Sequence, residues 1–233
     1  MVVTSRNDDF PTPGFEIGIE EFQKRKMWFG CSVVTSWINL TTWNFLQQEI
    51  NQGYVEVYSH SRTHPPAGFD YIYNRFVTYP SIDSEVNGSK EDILGNLTLP
   101  FGGYLLTYVA PYDYYDVDIR EMCRQCHYLI ETDDSELGLV NSSQYAELNS
   151  QELFNHVSTV QMDSNSDMIV LNKTFDKVYS EGGIYQLLTH PIRVSWTLSE
   201  VHLDYISGRK DVWYAPLTGI YLYRYVELFV SVS

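Results

Sequence analysis

Residues His60 and His64 stand four apart in the run Tyr58-Ser59-His60-Ser61-Arg62-Thr63-His64-Pro65, tight against a proline. Two imidazoles at that spacing can close on one metal ion, and imidazole suits Zn²⁺ and similar cations. The adjacent acids Asp8 and Asp9 offer a carboxylate ligand and a general base, because neighbouring side chains on a turn point in different directions. Two His and one carboxylate leave coordination positions open for water, whose pKa falls to about 7 when a metal holds it. The late run Leu188-Thr189-His190-Pro191 adds His190 as a candidate general acid for a leaving amine or alcohol. An imidazole in that role needs a carboxylate to orient it, and Asp133 or Asp134 is the candidate. Each piece alone also has an ordinary reading: a solvated helix face, an acidic loop start, a core histidine. Together they point to metal-dependent hydrolysis, with His127, His156 and His202 left as structural or surface residues.

The elements that must position these residues alternate between strand and helix. Val2–Ser5 reads as an inner strand ending at Asn7-Asp8-Asp9, and Pro11, Pro13 and Gly14 force a loop before a helix over Phe15–Lys26. Strands are expected at Trp28–Val34, Val55–Tyr58, Leu105–Val109, Tyr128–Glu131 and Gly183–Leu188, and again in the tail at Val212–Tyr214 and Tyr221–Val232. Helices are expected at Thr41–Asn51 (capped by Thr41 or Thr42), Asp83–Leu97, Val117–Cys126, Gln151–Gln161 and Leu198–Ser207 (capped by Thr197 or Ser199). Alternation of this kind implies a parallel sheet. Every polar cluster singled out falls just after a strand, where α/β barrels place their chemistry.

Composition narrows the class. At 233 residues and 44% hydrophobic content, the chain can bury the core of one α/β barrel domain and is not a disordered polymer. Thirty acidic residues against 15 basic give a net charge of −15, a field that repels nucleic acid and anionic membranes. No apolar run approaches the roughly 18–20 residues that span a bilayer. Cys31, Cys123 and Cys126 are too few for a disulfide scaffold. The run Cys123-Arg124-Gln125-Cys126-His127 matches a haem-attachment pattern, but its position at a helix end favours a redox dithiol or a buried pair. No G-x-S-x-G elbow, phosphate loop or dinucleotide fingerprint is present. Five N-x-[ST] sequons, at Asn39, Asn87, Asn96, Asn141 and Asn172, are the chance yield of a chain rich in these residues.

In this order the motifs resemble those of the polysaccharide deacetylases, the NodB-type carbohydrate esterases. That family carries an Asp-Asp pair, H-[ST]-x-x-H, R-x-P-[FY], a carboxylate-bearing strand end and a late [LI]-x-H. The matching runs here are Asn7-Asp8-Asp9, His60-Ser61-Arg62-Thr63-His64, Val109-Ala110-Pro111-Tyr112, Asp133-Asp134 and Leu188-Thr189-His190. The resemblance implies a single-domain, distorted (β/α)₇-like barrel. It implies a divalent metal, usually zinc, on Asp9, His60 and His64, with Asp8 as base and His190 as acid. Pro111 and Tyr112 would lie against the substrate, and a backbone N–H near Tyr112 would stabilise the oxyanion. The implied reaction removes acetyl groups from an acetylated polysaccharide, of N-acetylglucosamine type or acetylated xylan, in a secreted or cell-envelope setting. Tyr112, Tyr114, Tyr115 and Trp213 are aromatics that can stack on sugar faces or equally fill the core and its rim.

Two departures stand out. The first motif of the family reads Thr-Phe-Asp-Asp-Gly, and here it is Ser5-Arg6-Asn7-Asp8-Asp9-Phe10, without the glycine. The third motif normally opens with an arginine that holds the base, and here that position is Val109. Loss of that arginine implies an Asp8 without its charge partner. It also opens an alternative: a deacetylase-like carbohydrate-binding protein without turnover. A hydrolase of a non-sugar C–N bond is a third reading.

Overall fold

A computed structural model describes residues 1–65, 81–100, 102–132, 137–139 and 157–230. Nine strands form one sheet: β1 (Val2–Phe10), β2 (Phe29–Val33), β3 (Val55–Ser59), β4 (Thr107–Tyr108), β5 (Ile130–Thr132), β6 (Leu137–Leu139), β7 (Val157–Gln161), β8 (Ile184–Thr189) and β9 (Trp213–Tyr214). Among the described residues, seven helices accompany them: α1 (Phe15–Gln23), α2 (Leu40–Gln52), α3 (Ile82–Asn96), α4 (Val117–Gln125), α5 (Met168–Glu181), α6 (Trp196–Ile206) and α7 (Leu217–Phe229). The order across the sheet is β6-β5-β4-β3-β2-β1-β8-β7, with β9 paired to the start of β1. All pairings are parallel except β5 with β6. Seven parallel strands therefore make a curled half-barrel, joining the parallel sheet that strand–helix alternation implied to the (β/α)₇-like architecture that the family resemblance implied.

Curling brings β1 and β8 face to face with β5. Arg6 on β1 reaches the Thr132 carbonyl at 3.3 Å, and Gln186 on β8 reaches the Thr132 hydroxyl at 3.4 Å. Alternation along β1 then puts Arg6 and Asp8 on the inner face. On the outer face, Val3, Phe29, Cys31, Val55 and Val57 join the main core with residues of the covering helices, among them Phe22, Leu46, Ile93 and Phe175. A second cluster fills the barrel's lower interior, where Leu217, Ile220 and Tyr221 of α7 pack on Tyr58, Val109, Ile130 and Ile184. Burying that i, i+3, i+4 stripe is what makes the segment helical.

Here the tail departs from expectation. Tyr221–Val232 has strand-like composition, yet it lies mostly in α7, because packing on the barrel outweighs local propensity. Gln151–Gln161 is not a helix where it is described: Val157–Gln161 is a strand paired with β8, and residues 151–156 lie outside the described residues. Helix α5 went unread, although Asp167 caps it through bonds from the Ile169 and Val170 amides and Gly182 closes it in a left-handed conformation. Caps also shift: Asn39, not Thr41 or Thr42, accepts from the Thr42 amide at the start of α2, and α6 begins without a side-chain cap. Cys123 is fully buried at the end of α4, where burial raises its thiol pKa, and Cys126 is partly buried against the same core. Asp133 and Asp134 lie outside the described residues.

Candidate active site at the carboxyl ends of the strands

Residues from four strands converge at one rim. Asp8 and Asp9 lie near the end of β1, His60 follows β3, Pro111 and Tyr112 follow β4 in a 3₁₀ turn, and His190 follows β8 in a turn stiffened by Pro191. Ligand atoms of Asp9, His60 and His64 all lie within 4.8 Å of one another. The His60 Nε2 is 3.4 Å and the His64 Nε2 3.1 Å from Asp9 Oδ1, and His190 Nε2 is 3.9 Å from Asp9 Oδ2. The sequence thus named five residues that fold into one cluster from positions 8 to 190.

The donor set fits a cation. His60 Nδ1 lies 2.8 Å from the Val109 carbonyl, which can only accept, so Nδ1 carries the hydrogen. Nε2 then turns a lone pair toward Asp9 Oδ1. That oxygen is buried and has no hydrogen-bond partner among the described residues. Lone pairs facing one another in a buried space repel, and a divalent cation among them turns the repulsion into ligation.

Strained backbone holds the cluster. Among the described residues, eight that are not glycine have positive φ, and five of them are Asp9, Ser61, His64, Tyr112 and Asp113, all at this rim. The His60–His64 loop is pinned by Glu85 of α3, which accepts from the Arg62 amide at 3.0 Å, the Thr63 amide at 2.8 Å and the Thr63 hydroxyl at 2.9 Å. Arg62 forks onto Asp92 at 2.8 and 2.7 Å. On the other side, Gly14 has φ 98°, and a Cβ there would meet the Pro191 carbonyl at 2.6 Å. Only glycine lets the β1–α1 loop lie that close to the turn that follows His190. Asn7 joins three strands: it accepts from the Thr189 hydroxyl at 2.7 Å and donates to the Gly30 carbonyl at 2.9 Å.

The expectation that Asp8 lacks a charge partner is overturned. Arg6, two residues earlier on the same inner face, donates through Nε to Asp8 Oδ1 at 3.0 Å, and its terminal nitrogen lies 2.6 Å from Asp8 Oδ2. That nitrogen also meets Asp113 Oδ1 at 2.7 Å. Burial works against the charge on Asp8, but the Arg6 charge and its hydrogen bonds more than offset it, so the Asp8 pKa lies below the ordinary carboxylate value. At position 109 the side chain is buried in the lower apolar cluster, a poor place for an arginine. Sequence reading looked for the cation where the family keeps it and so missed Arg6, although its i, i+2 spacing from Asp8 on a strand was visible.

Burial lowers the His190 pKa, and His190 Nδ1 is buried without a partner among the described residues. Two aromatic rings flank His64: Tyr112 at 5.0 Å and Trp37 at 5.4 Å, 56% and 44% exposed. Trp37 carried no sequence signal, since it follows β2 in an unremarkable Thr35-Ser36-Trp37 turn. Tyr115 has a different task, its hydroxyl tying the Tyr108 and Thr132 carbonyls together. Trp213 is at the wrong end for a sugar contact here: it pairs with Val2, roughly 20 Å of strand from Asp9.

Comparison with solved structures agrees with this fold. A family 4 acetyl xylan esterase from Clostridium thermocellum, in complex with a cobalt ion, superposes with a TM-score of 0.58 at 13% identity, covering 96% of this chain and 91% of its own. The peptidoglycan deacetylase PdaC from Bacillus subtilis gives 0.56 at 16% identity, with 97% and 94% covered. The chain has the fold of the family 4 carbohydrate esterases. That fold also carries a pseudoenzyme from Bacillus anthracis, similar at a TM-score of 0.56 and 12% identity over 94% of this chain and 65% of that one. No protein-family model matches the sequence, and no curated protein matches it. Among the described residues, no helix is long and apolar enough to cross a membrane.

Proposed function

We propose that this protein is a metal-dependent hydrolase that removes acetyl groups from an acetylated polysaccharide, of N-acetylglucosamine or xylan type. The observation that carries the reading is the convergence of Asp9, His60 and His64 beside a separately held Asp8 and an opposed His190. A divalent cation, zinc by the nature of the donors, would be held by Asp9, His60 and His64, and when bound it supplies Lewis acidity that acidifies water and polarises the acetyl carbonyl.

The chain's own groups do the rest. Asp8, kept ionised by Arg6, accepts a proton from the attacking water, whose oxygen bonds to the acetyl carbon. Each Asp8 oxygen receives a bond from Arg6, and a carboxylate has lone pairs left for that proton. A backbone N–H near Tyr112 would meet the developing oxyanion. His190 gives its proton to the leaving nitrogen or oxygen as the C–N or C–O bond breaks, yielding acetate and a free sugar amine or hydroxyl. Asp133 or Asp134 would orient that imidazole. Trp37 and Tyr112 offer faces for sugar rings, with Pro111 beneath the turn. Substrates of this kind belong to a secreted or cell-envelope setting.

The test compares wild type with His60→Ala for metal content and for acetate release from acetylated chito-oligosaccharides and acetylated xylan. The expected result is about one equivalent of metal and acetate release in wild type, with both lost in the variant. Metal without acetate would support the second reading, a carbohydrate-binding relative, which the pseudoenzyme on this fold makes worth testing. Absence of metal from both proteins would overturn the site.

A further inference from the structure

Two adjacent carboxylates beside one cation site pose a problem of assignment, since either could ligate and a second ligand would consume the base. We propose that Arg6 is the positioning residue that solves it, occupying both oxygens of Asp8 so that Asp9 alone ligates, with Asp113 locking the guanidinium in place. This rests on the hydrolase reading above and deepens it.

Geometry carries the inference. Arg6 is 2% exposed, and its side chain runs along the barrel interior toward the rim. Its Nε and one terminal nitrogen form the parallel fork on Asp8 that only a planar guanidinium can make. The same terminal nitrogen reaches Asp113, in the turn that carries Tyr112, and the other reaches the Thr132 carbonyl at the end of β5. One side chain therefore joins the proposed base on β1 to the turn after β4 and to β5. Asp9, by contrast, receives nothing from Arg6, has φ 71°, and turns its buried Oδ1 toward His60 and His64. A stability role alone does not account for the arginine. Well-packed apolar residues commonly match or exceed a buried ion pair in stability, and the interior just below is apolar.

The experiment titrates wild type, Arg6→Met and Arg6→Lys with Co²⁺, reading affinity and visible absorption, and assays acetate release from acetylated chito-oligosaccharides alongside. Removing a positive charge and freeing Asp8 should tighten Co²⁺ binding about tenfold in Arg6→Met and change its spectrum as a second carboxylate ligates. Acetate release should fall about a hundredfold or more. Arg6→Lys keeps the charge and so guards against a misfolded variant; without the fork it should show the same spectral change in weaker form and also lose acetate release. Unchanged affinity and spectrum in the folded variants would overturn the proposal. A wild type that binds Co²⁺ but releases no acetate would sink the hydrolase reading, while the titration would still decide the role of Arg6.

Discussion

Asp9, Ser61, His64, Tyr112 and Asp113 hold a backbone conformation that side chains disfavour, at a cost on the order of 1 kcal/mol each. Four of them are polar residues that a short loop tolerates, but Tyr112 is a large ring held over the site. Its position is a compromise between stability and use, so Tyr112→Gly should raise unfolding stability by about 1 kcal/mol in urea and lower acetate release. A loss of stability would show that ring packing on His64 outweighs the strain. The same residues explain what could be read beforehand. Asp8, Asp9, His60, His64 and His190 were legible because their types and spacing carry chemistry. Arg6 was legible only in its i, i+2 spacing from Asp8, because the turn that locks its guanidinium lies 107 residues away. Trp37 and Glu85 act through proximity alone, which no local pattern records.

Among the elements, the strands ending at the site were legible because they are short apolar runs followed at once by polar clusters. Helix α7 was not, since its Tyr-rich sequence favours a strand until the barrel offers a surface for Leu217, Ile220 and Tyr221. Glu56 of β3 fixes where α7 begins: its carboxylate is buried and accepts from the Leu217 amide at 2.7 Å and the Thr218 amide at 2.9 Å. Tyr58 donates to the same carboxylate at 2.8 Å. These amides open the helix, where a negative group also meets the favourable end of its dipole. Glu56→Ala should leave buried donors unpaired and cost about 2–3 kcal/mol in denaturant unfolding. A change below about 0.5 kcal/mol would mean that α7 is held by its apolar stripe alone. The Asp9–His60–His64 cluster lies past the far end of β3 from Glu56, so cobalt affinity should not move.

At the scale of the whole molecule, acid sensitivity has a distinct source away from the site. His202 of α6 is buried, with Nδ1 2.7 Å from Asn172 Oδ1 and Nε2 2.9 Å from the Tyr185 hydroxyl. An amide oxygen only accepts, so Nδ1 carries the hydrogen, Nε2 accepts from the tyrosine, and the ring is neutral. Burial lowers its pKa from 6.5 to about 4. The unfolded chain binds this proton first as pH falls. Stability is therefore fully present above about pH 6.5 and declines between there and about pH 4, by about 3 kcal/mol in all. His202→Gln should flatten the thermal-stability profile in that window. Acid loss from Asp8, whose folded pKa is lowered, begins as pH falls into the ordinary carboxylate range, where the unfolded carboxylate takes up its proton, and so lies below most of the His202 window. An unaltered slope between pH 6.5 and 4 in the variant would place the sensitivity elsewhere.

The strand that carries Arg6, Asp8 and Asp9 pairs with β2, close by in sequence, but also with β8, and the bond from Thr189 to Asn7 spans 182 residues. During synthesis β1 leaves the ribosome before β8, and that flank stays uncovered until β8 is made. A strand with an open flank is a template for pairing with other chains. Here the waiting strand carries two acids and an arginine. Charges on a strand's faces discourage intermolecular stacking, so the residues that serve the rim of the finished barrel also guard the nascent chain against aggregation.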